Sequence, residues 1–245
     1  METNEEKVIE VHHCTDKLMT FKTTRDAGFK FESGQFTMIG VDDVYRAYSI
    51  ASSMYEDHLN FISIKVPDGE FTSKLQDIQV GDTVSVSKKA VGTLTLDRLV
   101  PGTNLYLLAT GTGLAPFMSI ITDPMTYEQF DHVHVVHCCR TKDELIYANY
   151  IRSLGKDELL GRYVANKLHY IPTTTQEPSS ISGRITTLLQ RGILWPMKGD
   201  DCVMICGNPN MLHDLTEYFE ARNWQMGKLN APGDFIIEKA FVDRA

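Results

Sequence analysis

The run Leu105-Tyr106-Leu107-Leu108-Ala109 is continuously apolar, and Thr110-Gly111-Thr112-Gly113 follows it directly. A strand buried on both faces of a parallel sheet has this composition, because helices cover both of its faces. The glycines would let a ligand approach the backbone closely, and Pro116 suits the first turn of a helix. The stretch therefore predicts a strand, then either a phosphate-binding loop or a plain tight turn, and then a helix.

Further strand–helix units follow along the chain. Each joins a short apolar run to a helical stretch: Val133–Cys139 with Glu144–Leu154, Leu168–Ile171 with Ile185–Gln190, and Val203–Cys206 with Met211–Arg222. This alternation predicts a doubly wound parallel sheet, which binds ligands beyond the carboxyl ends of its strands.

The sequence before Pro101 follows a different pattern. Short β-prone runs alternate with turn signals such as Ser33-Gly34, and one short helix is predicted at Phe71–Ile78. The predicted strands are Lys7–His12, Leu18–Thr24, Gln35–Val41, Tyr48–Ser52, Leu59–Val66 and Thr83–Ser87. Strands at this spacing indicate a closed antiparallel barrel. We therefore predict a barrel domain over residues 1–99 and a nucleotide-binding α/β domain over residues 100–245.

The composition argues against several kinds of partner. The formal net charge is −8 and the sequence has no basic helix or aromatic-basic stripe, which argues against nucleic acid and against anionic membranes as main partners. No apolar stretch approaches the roughly 20 residues of a membrane span. The polar start Met1–Glu6 is unlike a secretory signal, so we expect a cytoplasmic protein.

The cysteines and histidines lack the spacing of a disulfide framework or a metal site. The five cysteines are odd in number and scattered, which is typical of reduced thiols. His132 and His134 would share one face of a strand while His137 lies on the other, and this is poor geometry for three ligands. We therefore expect no metal.

Arg46-Ala47-Tyr48-Ser49 lies at the start of a predicted strand and carries groups that an FAD site needs. Arg46 supplies a fork that fits phosphate, Tyr48 an aromatic face, and Ser49 a hydrogen-bonding hydroxyl. Strand alternation would put Ala47 and Ser49 on one face and Tyr48 on the other. Taken alone, the tetrapeptide is also typical of an ordinary strand edge.

Two more segments have nucleotide-binding features. Pro67-Asp68-Gly69 reads as a turn into a short helix, whose free N–H groups could hold a pyrophosphate or form an ordinary N-cap. Cys206-Gly207-Asn208-Pro209 connects a predicted strand to a helix, so Cys206 would face the ligand crevice. By itself, Cys206 is more typical of a buried and inert cysteine.

Together these motifs resemble the ferredoxin–NADP reductase family, in its bacterial branch. The resemblance runs from Phe29-Lys30-Phe31 to Ala240-Phe241-Val242, with the motifs in the family's order. It implies a six-stranded antiparallel barrel that binds FAD, followed by a doubly wound domain for NADP(H). It also implies an enzyme that passes electrons between NADP(H) and ferredoxin or flavodoxin through FAD, which we expect to act as a monomer.

The resemblance also implies roles for individual residues. Ser49 would lie near N5 of the flavin, Cys206 beside the nicotinamide, and Glu238 would serve as the family's near-terminal acid. Thr112 would lie where both nucleotides approach. Further FAD-binding residues would be Arg46, Ala47, Tyr48, Ile62, Ile64, Val66, Glu70, Phe71, Thr72, Ser73, Ala240 and Phe241. Residues for NADP(H) would be Arg140, Thr175, Gln176, Arg184, Gly207, Asn208 and Pro209.

Two positions depart from the family pattern. Ala240 stands where plastid members have an aromatic residue over the flavin, so the nicotinamide pocket would be more open. Gln176 stands where relatives often have arginine, so the preference for NADPH over NADH would rest mainly on Arg184 and be smaller.

Two rival functions share these motifs. One is an NAD(P)H-dependent reductase component that serves a dioxygenase or another redox partner. The other is a non-catalytic flavin module that senses redox state. Such a module could lose Cys206 or the loop after it, and both are present in this chain.

Overall fold

The computed structural model describes residues 1–66, 68–194 and 197–240. The predictions for Pro67 and Phe241 lie outside the described residues. Two sheets organise the described chain, a six-stranded antiparallel sheet and a five-stranded parallel sheet. The predicted architecture, a barrel followed by a doubly wound α/β unit, is confirmed. The domain limits 1–99 and 100–245 stay a prediction.

The antiparallel sheet forms a nearly closed barrel with the strand order β4-β3-β6-β1-β2-β5. Its strands are β1 Thr3–His13, β2 Leu18–Thr24, β3 Phe36–Val41, β4 Val44–Ser49, β5 His58–Ile64 and β6 Thr83–Ser87. Tyr48 Oη lies 2.8 Å from Ser63 Oγ, and this hydrogen bond joins β4 to β5 across the seam. Just beyond, the Ala51 N–H donates to the Asn60 carbonyl at 2.8 Å.

The strand predicted at Tyr48–Ser52 is misplaced, because the sequence analysis missed a hairpin. Asp42 and Asp43 have φ angles of 47° and 63°, and Val41 pairs with Val44 across them. Two residues with positive φ form a tight hairpin turn, so the next strand begins directly after them. Arg46–Ser49 therefore lies at the end of β4, and not at its start as predicted.

The parallel sheet has the strand order β11-β10-β7-β8-β9. Its strands are β7 Asn104–Thr110, β8 His132–Cys139, β9 Leu168–Thr174, β10 Cys202–Gly207 and β11 Phe235–Lys239. The first four strands are predicted from the sequence, whereas β11, which is short and lies at an edge, is not. β11 pairs with β10 and brings Glu238 opposite Cys206.

The helices are α1 Thr72–Leu75, α2 Ala115–Ile121, α3 Pro124–Gln129, α4 Ala148–Ser153, α5 Gly161–Val164, α6 Ile185–Gln190 and α7 Pro209–Glu220. Only α6 matches its predicted range in full. The predicted helix at Glu144–Leu154 begins four residues late, at Ala148, and the one at Phe71–Ile78 is a single turn. In the ranges that the structure covers, no helix is both long and apolar enough to cross a membrane.

Alternate residues of the parallel sheet belong to two separate cores, as a sheet covered on both faces requires. Leu105, Leu107 and Ala109 pack into the core that contains α2. Tyr106 and Leu108 pack on the opposite face, into the core beneath α6 and α7. The first core also takes in Ala51 and Ile62 from the barrel side, so the two sheets share packed apolar surface.

Candidate functional site

A cleft lies between the barrel and the carboxyl edge of the parallel sheet. We call it the central cleft. The strand order of the parallel sheet reverses between β7 and β10, and ligands of doubly wound sheets bind at such a switch point. The cleft is lined by Arg46, Ala47, Tyr48, Ser49, Ile62, Ser63, Ile64 and Thr72 from the barrel side, and by Thr112, Ala115, Cys206 and Ala240 from the other.

Two glycines make the switch point possible by letting backbones touch. A Cβ on Gly113 would lie 2.3 Å from the Cys206 carbonyl oxygen, and one on Gly207 would lie 2.0 Å from Thr110 Oγ1. Thr110 Oγ1 also accepts a hydrogen bond from the Asn208 N–H at 2.9 Å. The loops after β7 and β10 therefore pack directly against each other. A side chain larger than hydrogen at either glycine would push them apart.

Ser49, Glu238 and Cys206 bring a hydroxyl, a carboxyl and a thiol together at the cleft. Ser49 Oγ donates to Glu238 Oε1 at 3.3 Å, across 189 positions of sequence. Burial raises the pKa of the Glu238 carboxyl to about 7, and the hydrogen bond from Ser49 opposes this shift. Burial, aided by the nearby Glu238 charge, raises the pKa of the Cys206 thiol well above its ordinary value. At neutral pH, Cys206 is therefore a neutral thiol and Glu238 is poised to hold or release a proton.

The partners of the Arg46 guanidinium include a carbonyl and a carboxylate oxygen. Its Nη1 donates to the Tyr45 carbonyl at 2.9 Å, and its Nη2 lies 3.1 Å from Glu70 Oε2. Glu70 is exposed, and exposed ion pairs contribute little, typically below about 1 kcal/mol. A pyrophosphate, which carries more negative charge than one carboxylate and can accept two N–H groups, can therefore compete for this guanidinium.

The remaining barrel residues of the prediction divide into two groups. Ile62, Ile64 and Thr72 line the central cleft, as do all four residues from Arg46 to Ser49. Phe71 is 0% exposed and packs into the barrel core against Tyr48, so its side chain does not reach the cleft. Val66, Glu70 and Ser73 lie next to the cleft without lining it; Thr72 Oγ1, for example, donates to the Val66 carbonyl at 3.0 Å.

Arg140, Thr175, Gln176 and Arg184 lie together at the carboxyl ends of β8 and β9, and all four are exposed. We call this group the arginine edge. The Gln176 N–H donates to the Arg140 carbonyl at 2.9 Å, and the Thr175 N–H donates to the Cys139 carbonyl at 3.1 Å. Arg184 precedes α6 directly. From β10 to β9 is three strand spacings, or about 14 Å, so one extended ligand can span the central cleft and the arginine edge.

Sequence reasoning missed two cleft residues. Ser63 and Ala115 both line the central cleft. Ser63 lies between Ile62 and Ile64 in β5, and Ala115 follows the glycine loop at the first residue of α2. A small residue directly after a glycine loop was a usable signal for Ala115. For the part of the chain that the structure covers, no group of three or more acidic, histidine or cysteine side chains could hold a metal.

Comparison with known proteins agrees with this geometry. Residues 107–217 match the model of the oxidoreductase NAD-binding domain. A ferredoxin–NADP reductase A of Sorangium cellulosum is 49% identical over 97% of this chain and 90% of its own length. A flavodoxin/ferredoxin–NADP reductase of Rhodobacter capsulatus is 44% identical over 96% of this chain and 92% of its own length.

A solved structure extends the match to three dimensions. The ferredoxin NADP⁺ reductase of Neisseria gonorrhoeae, crystallised with bound FAD and NADP, superposes with a TM-score of 0.89 at 31% identity. The superposition covers 98% of this chain and all of that one. The chain therefore belongs to the ferredoxin–NADP reductase family, bacterial type.

Proposed function

We propose that this protein is a ferredoxin–NADP reductase that transfers electrons between NADP(H) and ferredoxin or flavodoxin through FAD. The observation that carries the proposal is the central cleft, where Ser49 from the barrel meets Thr112 and Cys206 from the parallel sheet. One nucleotide held by the barrel and another held by the parallel sheet would meet there. The names of the relatives support ferredoxin and flavodoxin as the two partner classes.

The residues of the cleft fit FAD. The Arg46 guanidinium offers donors for the pyrophosphate, and Ala47 and Ile62 offer apolar surface for a flat ring. When bound, FAD supplies the ability to exchange electrons in pairs with a nicotinamide and singly with a protein partner. Ser49 places a hydroxyl beside the raised-pKa carboxyl of Glu238, and together these two groups can hold or move a proton at Ser49 Oγ.

NADP(H) would lie along the carboxyl edge of the parallel sheet. Cys206 would contact the nicotinamide as a neutral and compact side chain, while Gly207, Asn208 and Pro209 shape the loop beside it. Arg184 would bind the 2′-phosphate, with Arg140, Thr175 and Gln176 nearby. Gln176 offers a neutral amide where an arginine would offer charge, so discrimination against NADH depends mainly on Arg184.

Ala240 sets how open the cleft is. It is partly buried and lines the cleft beside Cys206, and its backbone N–H donates to the Gly207 carbonyl at 3.1 Å. A methyl group excludes less volume than an aromatic ring. The nicotinamide therefore has little side-chain bulk to displace at this position.

An anaerobic reduction experiment tests the proposal. The purified yellow protein is mixed with NADPH, and the flavin absorbance is followed, with NADH as the comparison. We expect bleaching that is faster at limiting NADPH than at the same concentration of NADH, followed by reoxidation on addition of oxidised ferredoxin or flavodoxin. A flavin that stays oxidised with NADPH would leave a non-catalytic flavin module as the better description. A flavin that NADPH reduces but neither protein reoxidises would favour a reductase for another partner.

We also propose that the protein is a monomer and that it functions in the cytoplasm. The described structure contains five free cysteines, four of them buried, which supports a reducing compartment. Size-exclusion chromatography with light scattering should give the mass of one chain, 27.7 kDa plus FAD. A dimer at micromolar concentration would contradict this part of the proposal.

A further inference from the structure

His137 lies beneath the loop that follows β7 and has no role in the site described above. It is 1% exposed. Its Nε2 lies 3.0 Å from the Gly111 carbonyl oxygen, and its Nδ1 lies 3.4 Å from Tyr170 Oη. Gly111 begins the turn Gly111–Leu114, which presents Thr112 to the central cleft. The imidazole therefore connects the sheet interior to the loop where the two nucleotides are proposed to meet.

The contacts of His137 define where its proton sits. A carbonyl oxygen only accepts hydrogen bonds, so Nε2 must carry the proton that Gly111 receives. Burial lowers the pKa of His137 to about 4, partly offset by the hydrogen bond to Gly111, so the imidazole is neutral at physiological pH. Nδ1 is then unprotonated and accepts from the Tyr170 hydroxyl. Tyr170 is in turn covered by Arg152, whose Cζ lies 5.4 Å from the centre of the tyrosine ring.

Gly111 needs an anchor of this kind. Its φ is +53°, in the left-handed region, and no atom would approach an added Cβ within 4 Å. Glycine loses more conformational freedom on folding than any other residue, so a hydrogen bond to its carbonyl helps to hold this peptide in place. Cys139 Sγ lies 3.2 Å from His137 Nε2 as a second polar neighbour below the loop.

We infer that His137 is a positioning residue for NADP(H): its Nε2–H holds the Gly111 carbonyl and thereby fixes the loop that carries Thr112 at the nucleotide junction. This inference rests on the proposed function. His137 itself is covered by the loop and touches no substrate, so its effect is on how tightly the nucleotide binds. Loss of the hydrogen bond leaves the Gly111 carbonyl without this donor and loosens the loop.

Two substitutions of His137 separate the hydrogen bond from packing. In His137→Gln, the amide nitrogen lies the same number of bonds from Cα as Nε2, so it can still donate to Gly111. In His137→Asn, the amide corresponds to Nδ1 and falls short of Gly111. We expect the dissociation constant of NADP⁺, read from its perturbation of the flavin spectrum, to rise about tenfold in His137→Asn and to stay within about twofold in His137→Gln.

Further readouts isolate the positioning role. FAD content and the thermal unfolding midpoint should be similar in the two variants, and KM for NADPH should rise more than kcat falls in His137→Asn. Equal NADP⁺ affinity in the two variants would overturn the inference, whether both match the wild type or both lose binding. If His137→Asn does not fold, Tyr170→Phe decides: we expect a two- to threefold weaker affinity for NADP⁺, and an unchanged affinity would overturn the inference. A wild-type protein that binds no NADP⁺ would instead contradict the proposed function.

Discussion

The central cleft and the arginine edge both lie along the carboxyl edge of the parallel sheet, but they differ in burial and in how their groups are held. In the cleft, Cys206 is 1% exposed and Glu238 has a pKa raised to about 7 by burial. At the arginine edge, Arg140 and Arg184 are exposed, and backbone hydrogen bonds order the segments that carry Arg140 and Gln176.

The difference indicates that the two regions serve different functions along one bound ligand. Burial changes the protonation of groups, so the cleft is suited to chemistry that depends on a proton position. Exposed cations keep their charge and their ordinary solvation, so the arginine edge is suited to recognising a phosphate. Substitutions in the cleft should therefore alter rates and pH dependence, while substitutions at the arginine edge should alter the choice of nucleotide.

The largest effect is expected for Ser49→Ala. Removing the hydroxyl that donates to Glu238 should slow flavin reduction by NADPH about a hundredfold, in the range for loss of one positioned proton-transfer group, with FAD still bound. Stopped-flow absorbance under anaerobic conditions measures the rate. Ser63→Ala is the matched control, since Ser63 lines the same cleft but bonds Tyr48. Equal rates in wild type and Ser49→Ala would remove Ser49 from the mechanism.

A second effect concerns stability and pH at Glu238. Its pKa is raised from 4.5 to about 7 on folding, so the folded state binds a proton that the unfolded state releases. The stability that this provides is present below pH 4.5 and is lost as the pH rises through 7. Glu238→Gln removes this dependence. Its free energy of unfolding relative to wild type should rise by about 2 kcal/mol between pH 5 and pH 8.

Urea unfolding at the two pH values measures the Glu238 effect. The exposed carboxylate of Glu158 provides the control, because Glu158→Gln should show no such change. A difference between Glu238→Gln and wild type that is independent of pH would mean that Glu238 is ionised throughout.

Arg184→Ala tests the arginine edge. Loss of a guanidinium that bonds a phosphate costs about 1.5–3 kcal/mol, so kcat/KM for NADPH should fall at least about tenfold while that for NADH changes little. Arg191, at the opposite end of α6, is exposed and provides the matched control as Arg191→Ala. Equal losses with both nucleotides would contradict a 2′-phosphate role for Arg184.

The smallest effect is expected for Gln176→Arg. Gln176 is exposed and lies on the arginine edge, so a guanidinium there would add one charge beside the proposed phosphate position. We expect the ratio of kcat/KM for NADPH to that for NADH to rise about threefold to fivefold, since an exposed pair contributes up to about 1 kcal/mol. Gln190→Arg, on the exposed surface of α6, controls for added charge alone. A ratio that rises equally in both variants would indicate general electrostatic attraction.

Much of the fold was predictable because its signals are local. The apolar run at Leu105–Ala109 and the glycines after it identified β7 and its loop, and α6 was predicted in full. The errors have physical causes. Because the hairpin turn at Asp42-Asp43 was not predicted, β4 begins earlier in the chain than expected, at Val44 instead of Tyr48. β11 was not predicted because a short edge strand has too few residues for a clear pattern.

The site shows the same limit. Ser49, Thr112 and Cys206 are predicted site residues, and all three line the central cleft. The positions of Thr112 and Glu238 in the site were predicted only through family resemblance. The Phe71 side chain packs into the barrel core, and the assignment of Phe71 to the FAD site stays a prediction. The sequence marks His137 only as a core or loop histidine, because its contact with Gly111 joins β8 to the loop after β7 and leaves no sequence pattern.

The sequence by itself determined where antiparallel strands give way to parallel strands, and it determined the positions of the loop glycines Gly113 and Gly207. These follow from periodicity and local backbone preference, which act over a few residues. Only the tertiary structure decided that Ser49 meets Glu238 across 189 positions and that burial raises the Glu238 pKa to about 7. Burial and proximity depend on how distant strands pair, so they arise only when the two sheets close on one another.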